Sequence, residues 1–305
     1  MKIAATPSNG TDNLCLFDTE TKEEKRVAAL PEHLNNEFAD DLVNGPSHRP
    51  YGITWNADNV FVGIRRNLVV YDSELNAVDM LEVLGDNTHQ LTCHKGLIVS
   101  VQTSRICIGF YNPATGESKL YHMREGWVDN APCLMKDDRD IRVNSVLSMG
   151  DSLYIAGNDP SSSNQLWELN TETDTLSGPT VFADGWDEKI HGLFCTSGDH
   201  FFALATTGLI AKPDGLDHAL TPLVQPMRDH EAKGMCGDEA EWACGLSEHN
   251  YTAPGAYIQV YKDFRTHPEP ESHFILGVKK FQDLRRIDGP DKCHLNRFSF
   301  PYKGF

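Results

Sequence analysis

Apolar residues in this chain come in short runs, and polar, glycine-rich breaks separate them from one end to the other. Examples are LCLF from Leu14, LVVY from Leu68, LIVSV from Leu97 and SVLSM from Ser145. The runs are rich in Val, Ile, Phe and Tyr, which suit a pleated surface. Gly, Asn, Asp and Ser bound them, as strand-and-turn chemistry requires. A helical period appears only weakly, over residues 32–42 and 279–287, and both stretches lie between the strand clusters. The pattern predicts an all-β fold.

The runs repeat. IAATPSNGTDNLCLFDTET (residues 3–21) aligns without a gap on IAGNDPSSSNQLWELNTET (residues 155–173). Weaker copies start at Val62 (VGIRRNLVVYDSEL), Val99 (VSVQTSRICIGFYNPATGE) and Tyr257 (YIQVYKDF). Each unit is a strand, a turn, a second strand ending in Phe/Tyr/Leu then Asp/Asn, and a polar turn. A further strand precedes each unit. These first strands read HRPYGITW from His48, HQLTC from His89, NSVLSM from Asn144, HGLFC from His191, HEAKGM from His230 and HLNRFSF from His294. Their anchors are Tyr51, His89, Asn144, His191, Lys233 and Arg297. Unequal intervals between anchors reflect loops of different length.

A repeat of roughly 20–50 residues marks a solenoid or propeller. The chain begins in the second strand of a unit and ends in a lone first strand. Pairing the two ends completes one blade and removes an exposed edge. The expectation is one domain over 1–305. It is a six-bladed β-propeller of four-stranded blades, closed by pairing the C-terminal strand with the N-terminal strands. The closing blade combines about residues 1–30 with about 294–305. In this architecture the chain resembles six-bladed propellers such as the NHL, gluconolactonase and amidating-lyase groups. The resemblance covers the whole chain and carries no specific signature. The strict WD40 Trp-Asp and kelch double-glycine patterns are missing.

Composition narrows the partners. The 305 residues carry a net charge of −17, which opposes nucleic acid because phosphate binding needs clustered cations. The start, MKIAATPSNG, has no apolar core of a secretory leader, and no apolar run is long enough to span a membrane. The eight cysteines form no CxxC pair, and several sit inside apolar strands. They read as reduced, buried thiols of a cytoplasmic protein. No P-loop, GxGxxG, GxSxG or HExxH is present.

The candidate chemistry is the recurring histidine. His48, His89, His191, His230 and His294 lead first strands, and Asn144 takes the sixth slot. In a propeller the starts of first strands meet near the axis. Aligned on the anchors, His89, Asn144 and His191 share one level. His48, His230 and His294 fall three residues earlier, an offset of roughly 10 Å in an extended strand. Two layers of three groups, or a partial ring of three to five ligands, would follow. Imidazoles without carboxylates suit one transition metal, with iron or copper ahead of zinc. Seven-bladed carotenoid oxygenases with axial iron, and the amidating lyase with zinc, offer architectural analogies. Arg49, Arg65, Arg142 and Arg297 would grip an anionic group on a small-molecule or peptide substrate, and Trp186 would wall the site. The alternative for these arginines is salt bridges between blades. Glu231 and Lys233 are the candidate acid–base pair. Iron or copper points to oxidation by dioxygen, and zinc points to lysis or hydrolysis. A calcium-dependent lactonase is a weaker reading. A metal-free ligand- or protein-binding propeller is the rival of another class, because fold alone does not fix function.

Overall fold

A computed structural model describes residues 1–7, 12–21, 23–28, 50–64, 67–82, 88–102, 106–128, 141–158, 164–182, 190–195, 201–205, 210–213, 220–224, 230–237, 241–248, 256–262, 272–275 and 293–297. The strands assemble in chain order. The first sheet holds β1 (Lys2–Pro7), β2 (Asp12–Asp18) and β3 (Glu24–Ala28). The second holds β4 (Pro50–Trp55), β5 (Val60–Ile64), β6 (Asn67–Tyr71) and β7 (Ala77–Glu82). The third holds β8 (Thr88–His94), β9 (Leu97–Gln102), β10 (Cys107–Tyr111), β11 (Ser118–His122) and β12 (Gly126–Val128). The fourth holds β13 (Arg142–Met149), β14 (Ser152–Asn158), β15 (Asn164–Asn170) and β16 (Thr175–Phe182). The fifth holds β17 (Ile190–Cys195), β18 (Phe201–Ala205), β19 (Ile210–Pro213) and β20 (Leu220–Val224). The sixth holds β21 (His230–Gly237), β22 (Glu241–Glu248), β23 (Ala256–Lys262) and β24 (Ser272–Ile275). Finally β25 (Cys293–Arg297) pairs antiparallel with β1 in the first sheet. No helix occurs among the described residues, and both helix-compatible stretches lie outside them.

Within each sheet, strands consecutive in the chain pair antiparallel, as short turns dictate, and β25 pairs antiparallel with β1. Four strands per sheet is the rule; the third sheet departs from it by adding β12 to its outer edge. The polar turn after the third strand of a sheet has a local cause. Asp18, Asp72, Asn112 and Asn170 each use a side-chain oxygen to accept the backbone N–H two residues on, at 2.9 to 3.0 Å. This is an Asx turn, which short polar side chains close by themselves. It explains why these four units end on Asp or Asn.

These turns also correct the gapless alignment. Asp18 and Asn170 occupy the same turn, with Lys2 and Ser152 opposite them. Phe17 and Leu169 lie 152 positions apart, but their partners Ile3 and Leu153 lie 150 apart. Residue 3 therefore matches 153, not 155, and the fourth sheet has the longer hairpin loop. A slip of two residues keeps every side chain on its original face, so an apolar pattern of period two cannot detect it.

Middle strands are buried on both faces because the sheets stack face against face. In β1 and β2, Ala4, Leu14 and Leu16 pack with Ile53, Val60, Val62 and Val69 of the second sheet. The alternate residues Ile3, Ala5, Cys15 and Phe17 pack with Cys236 and Ala243 of the sixth. Phe61, Leu68 and Val70 join the second sheet to Leu91 and Ile98 of the third. The third and fourth sheets share the cluster that includes Val99, Ile108, Val146, Ile155 and Trp167. Ala156 and Leu166 meet Ile190 and Leu193 of the fifth sheet. Each such Val, Leu or Ile contributes about 1.5–3 kcal/mol on burial. The near-continuous apolar runs of the sequence come from this double burial, as in strands covered on both sides.

Candidate functional site

The first strand of each sheet touches the next. β4 contacts β8, β8 contacts β13, β13 contacts β17 and β17 contacts β21. β25 contacts β21 on one side and β4 on the other. Five of these strands carry a β-bulge in the same place. Register slips between Pro50 and Gly52, Thr88 and Leu91, Val143 and Ser145, Ile190 and Gly192, and Ala232 and Gly234. The extra residue is Tyr51, His89, Asn144, His191 or Lys233 in turn, and in β8 Gln90 shares the irregular stretch. Five of the six anchors read from the sequence are thus bulge positions. A bulge adds an unpaired residue and re-aims side chains.

β25 has no bulge, and this moves its residues. His294 lies opposite Thr6 and Arg297 opposite Ile3. Through the turn equivalence, Thr6 matches Ala156, which pairs with Ser145. His294 is therefore level with Ser145, one step past the Asn144 slot. The expected three-residue offset from His89 and His191 does not hold for His294. That offset fitted His48 and Tyr51, and His230 and Lys233, and does not extend to a strand without the extra residue. Arg297 falls level with Ser148, towards the far end of the first strands. His230 opens β21 opposite Glu248, three residues before Lys233, with Glu231 opposite Ser247. His48, Arg49, Arg65 and Trp186 lie outside the described residues. His89 is half-buried. Arg142 opens β13, is exposed, and makes no ion pair with a described residue. Trp127 lies in β12, at the outer edge of the third sheet. There it packs on Phe110 and Tyr121 and donates to Asp174 at 3.0 Å.

Two carboxamides at the bulge level have structural employment. Asn144 is buried and its amide donates to Asn158 at 3.2 Å and to the Ile190 carbonyl at 3.5 Å. Gln90 accepts the Val146 N–H at 3.3 Å and donates to the Leu193 carbonyl at 3.1 Å. Gln90 thus reaches from the third sheet past the fourth to the fifth, so alternate first strands stand within one side chain of each other. In the sequence, Gln90 shows only as a polar residue next to a first-strand histidine in an apolar run. Among the described residues, no group of three or more His, Cys, Asp and Glu is placed to hold a metal.

The far end of the same strands carries a second polar junction. His94, the last residue of β8, is buried, with Nδ1 2.8 Å from the Ser148 hydroxyl and Nε2 2.7 Å from the Thr171 hydroxyl. Burial, and then the neighbouring Lys95, hold its pKa below the ordinary imidazole range, while Asp151 and Glu172 push the other way. Lys95 itself bridges Asp151 and Glu172. The junction ties the third sheet to the fourth.

No protein-family model matches the sequence, and no curated protein matches it. Solved structures do. One is the crystal structure of the WD40 β-propeller domain of Doa1, with a TM-score of 0.53 and 11% identity. The match covers 90% of this chain and 79% of that one. At that identity the likeness shows the fold alone, and the fold is a β-propeller. No helix among the described residues is long and apolar enough to cross a membrane.

Proposed function

We propose that the six sheets are six blades of one closed ring, and that the bulge level of its first strands is a binding site for one transition metal. The ligands are His89, His191 and His294, with His48 and His230 as the candidates for a fourth. The observation that supports this reading most is the placement of His89 and His191 in the bulges of alternate first strands, a gap that a single Gln90 side chain crosses. Three imidazoles with open positions make a catalytic site rather than a closed structural one. Iron or copper would support oxidation of a small molecule or peptide side chain by dioxygen. Zinc on the same ligands would support elimination or hydrolysis, with Glu231 or Lys233 as base. Arg142, exposed and without an ion pair among the described residues, suits an anionic group on the substrate. Cys15, Cys107 and Cys236 are buried inside apolar strands, which fits a cytoplasmic setting.

A metal-free binding propeller is the second reading. It is favoured by Asn144 and Gln90, which hold slots at the same level and spend their polar atoms on the protein's own backbone and side chains. Elemental analysis of untagged protein separates the two. The expected result is about one iron or copper per chain, lost in His191→Ala while the β-sheet spectrum persists. About one zinc per chain moves the reaction to elimination or hydrolysis. No metal, and none taken up by the apo-protein, leaves the binding propeller.

A further inference from the structure

The backbone around His191 is held from outside its own sheet. The Asn164 side-chain oxygen accepts the Ile190 N–H at 3.0 Å. The Asn144 amide donates to the carbonyl of the same Ile190, and the Gln90 amide donates to the carbonyl of Leu193. So the residue before His191 is bound at both its N–H and its C=O, and the second residue after it is bound at its carbonyl. All three carboxamides come from the third and fourth sheets. Asn144 and Asn164 are buried, at 5% and 0% exposure. Buried amides cost several kcal/mol-scale desolvation unless bonded, and apolar residues would fill these positions without that cost. The bulge supplies the reason for them. Its extra residue lacks a ladder partner, so the sheet by itself does not fix its orientation.

We infer that Gln90, Asn144 and Asn164 are positioning residues for His191, fixing the peptides on either side of the bulge and thereby the aim of the imidazole. Asn158 takes part by accepting from the Asn144 amide, which sets that amide's direction. The inference rests on the reading of His191 as a metal ligand for its purpose, but its geometry is testable without metal. The two asparagines are not equivalent. Position 164 works through an acceptor oxygen and position 144 through a donor N–H. Aspartate, in either protonation state, keeps an acceptor oxygen at 164. As a carboxylate it cannot donate at 144.

The test uses the full chain with isotope-labelled histidine, the His191 ring signal being assigned with His191→Gln. Two readouts are taken: that signal in the metal-free protein, and Co2+ affinity from the visible absorption of the bound ion. Asn164→Leu and Asn144→Leu should both move the His191 signal and weaken Co2+ binding by about 10–100-fold, the usual effect of losing a partner behind a ligand. Asn164→Asp should stay near wild type in both, whereas Asn144→Asp should behave like Asn144→Leu. Gln90→Met, at a half-buried site of similar volume, carries the test if the leucine variants do not fold, and should move the same signal. If wild type binds no Co2+ but the signal moves as described, the metal reading fails and the positioning role stands. If the signal stays in place and Co2+ affinity stays within about twofold in the folded variants, the positioning role is overturned.

Discussion

His94 has only one tautomer open to it. The Thr171 hydroxyl donates its proton to the Asp151 carbonyl at 3.0 Å, so towards His94 it can only accept. Nε2 therefore carries the proton, and Nδ1 accepts from Ser148. A second proton on the ring would turn the Ser148 hydroxyl away and place a charge in a buried junction beside Lys95. The folded pKa is lowered, chiefly by burial, so the unfolded chain takes up the proton first as pH falls. The junction's contribution is complete above the unfolded pKa of about 6.5 and is lost as pH falls through the lower folded value. Urea midpoints from pH 8 to pH 5 should show the stability gap between wild type and His94→Gln narrowing as the solution becomes more acidic. A gap independent of pH would mean that His94 is not the titrating group. In the sequence nothing marks His94 out from an ordinary polar residue at the start of a turn. It is buried at a strand end because its partners come from residues 148 and 171, far along the chain.

The first strands were recognisable because each keeps a short apolar core after a polar start, and their anchors turned out to be bulges at five of six positions. What the pattern could not supply was the count of residues at one strand. β25 lacks the extra residue, so His294 and Arg297 shift relative to expectation. Bulges also explain a glycine. A Cβ on Gly52, just after the Tyr51 bulge, would overlap the His89 carbonyl oxygen and come within 2.7 Å of the Leu91 nitrogen. Those are backbone atoms of the adjacent sheet and cannot swing aside. Gly52→Ala should cost about 2–3 kcal/mol by overpacking, read as a lower urea midpoint with an unchanged slope. A cost near zero would show that β4 and β8 can separate without loss. β12 was missed for a different reason. Three residues, GWV, carry too little pattern to read as a strand, and Trp127 is held there by Phe110, Tyr121 and Asp174.

β25 bears on the whole molecule, since it pairs with β1 and contacts both β21 and β4. Ending the chain at residue 292 would open the edge of β1 and uncover the flanks of two other sheets. The expected outcome is loss of the cooperative thermal transition and aggregation in gel filtration, since unpaired edges template association. A monomeric, cooperatively melting truncation would show that the ring reading is wrong. The sequence by itself determined the all-β class, the first-strand positions and the pairing of the two chain ends. Period, turn residues and strand length are local properties, and each is written in neighbouring residues. The tertiary structure alone decided the level of His294, the place of Trp127 and the work of Gln90, Asn144 and Asn164. Those depend on which strands lie side by side and on a one- or two-residue register, and an apolar pattern of period two is blind to an even slip.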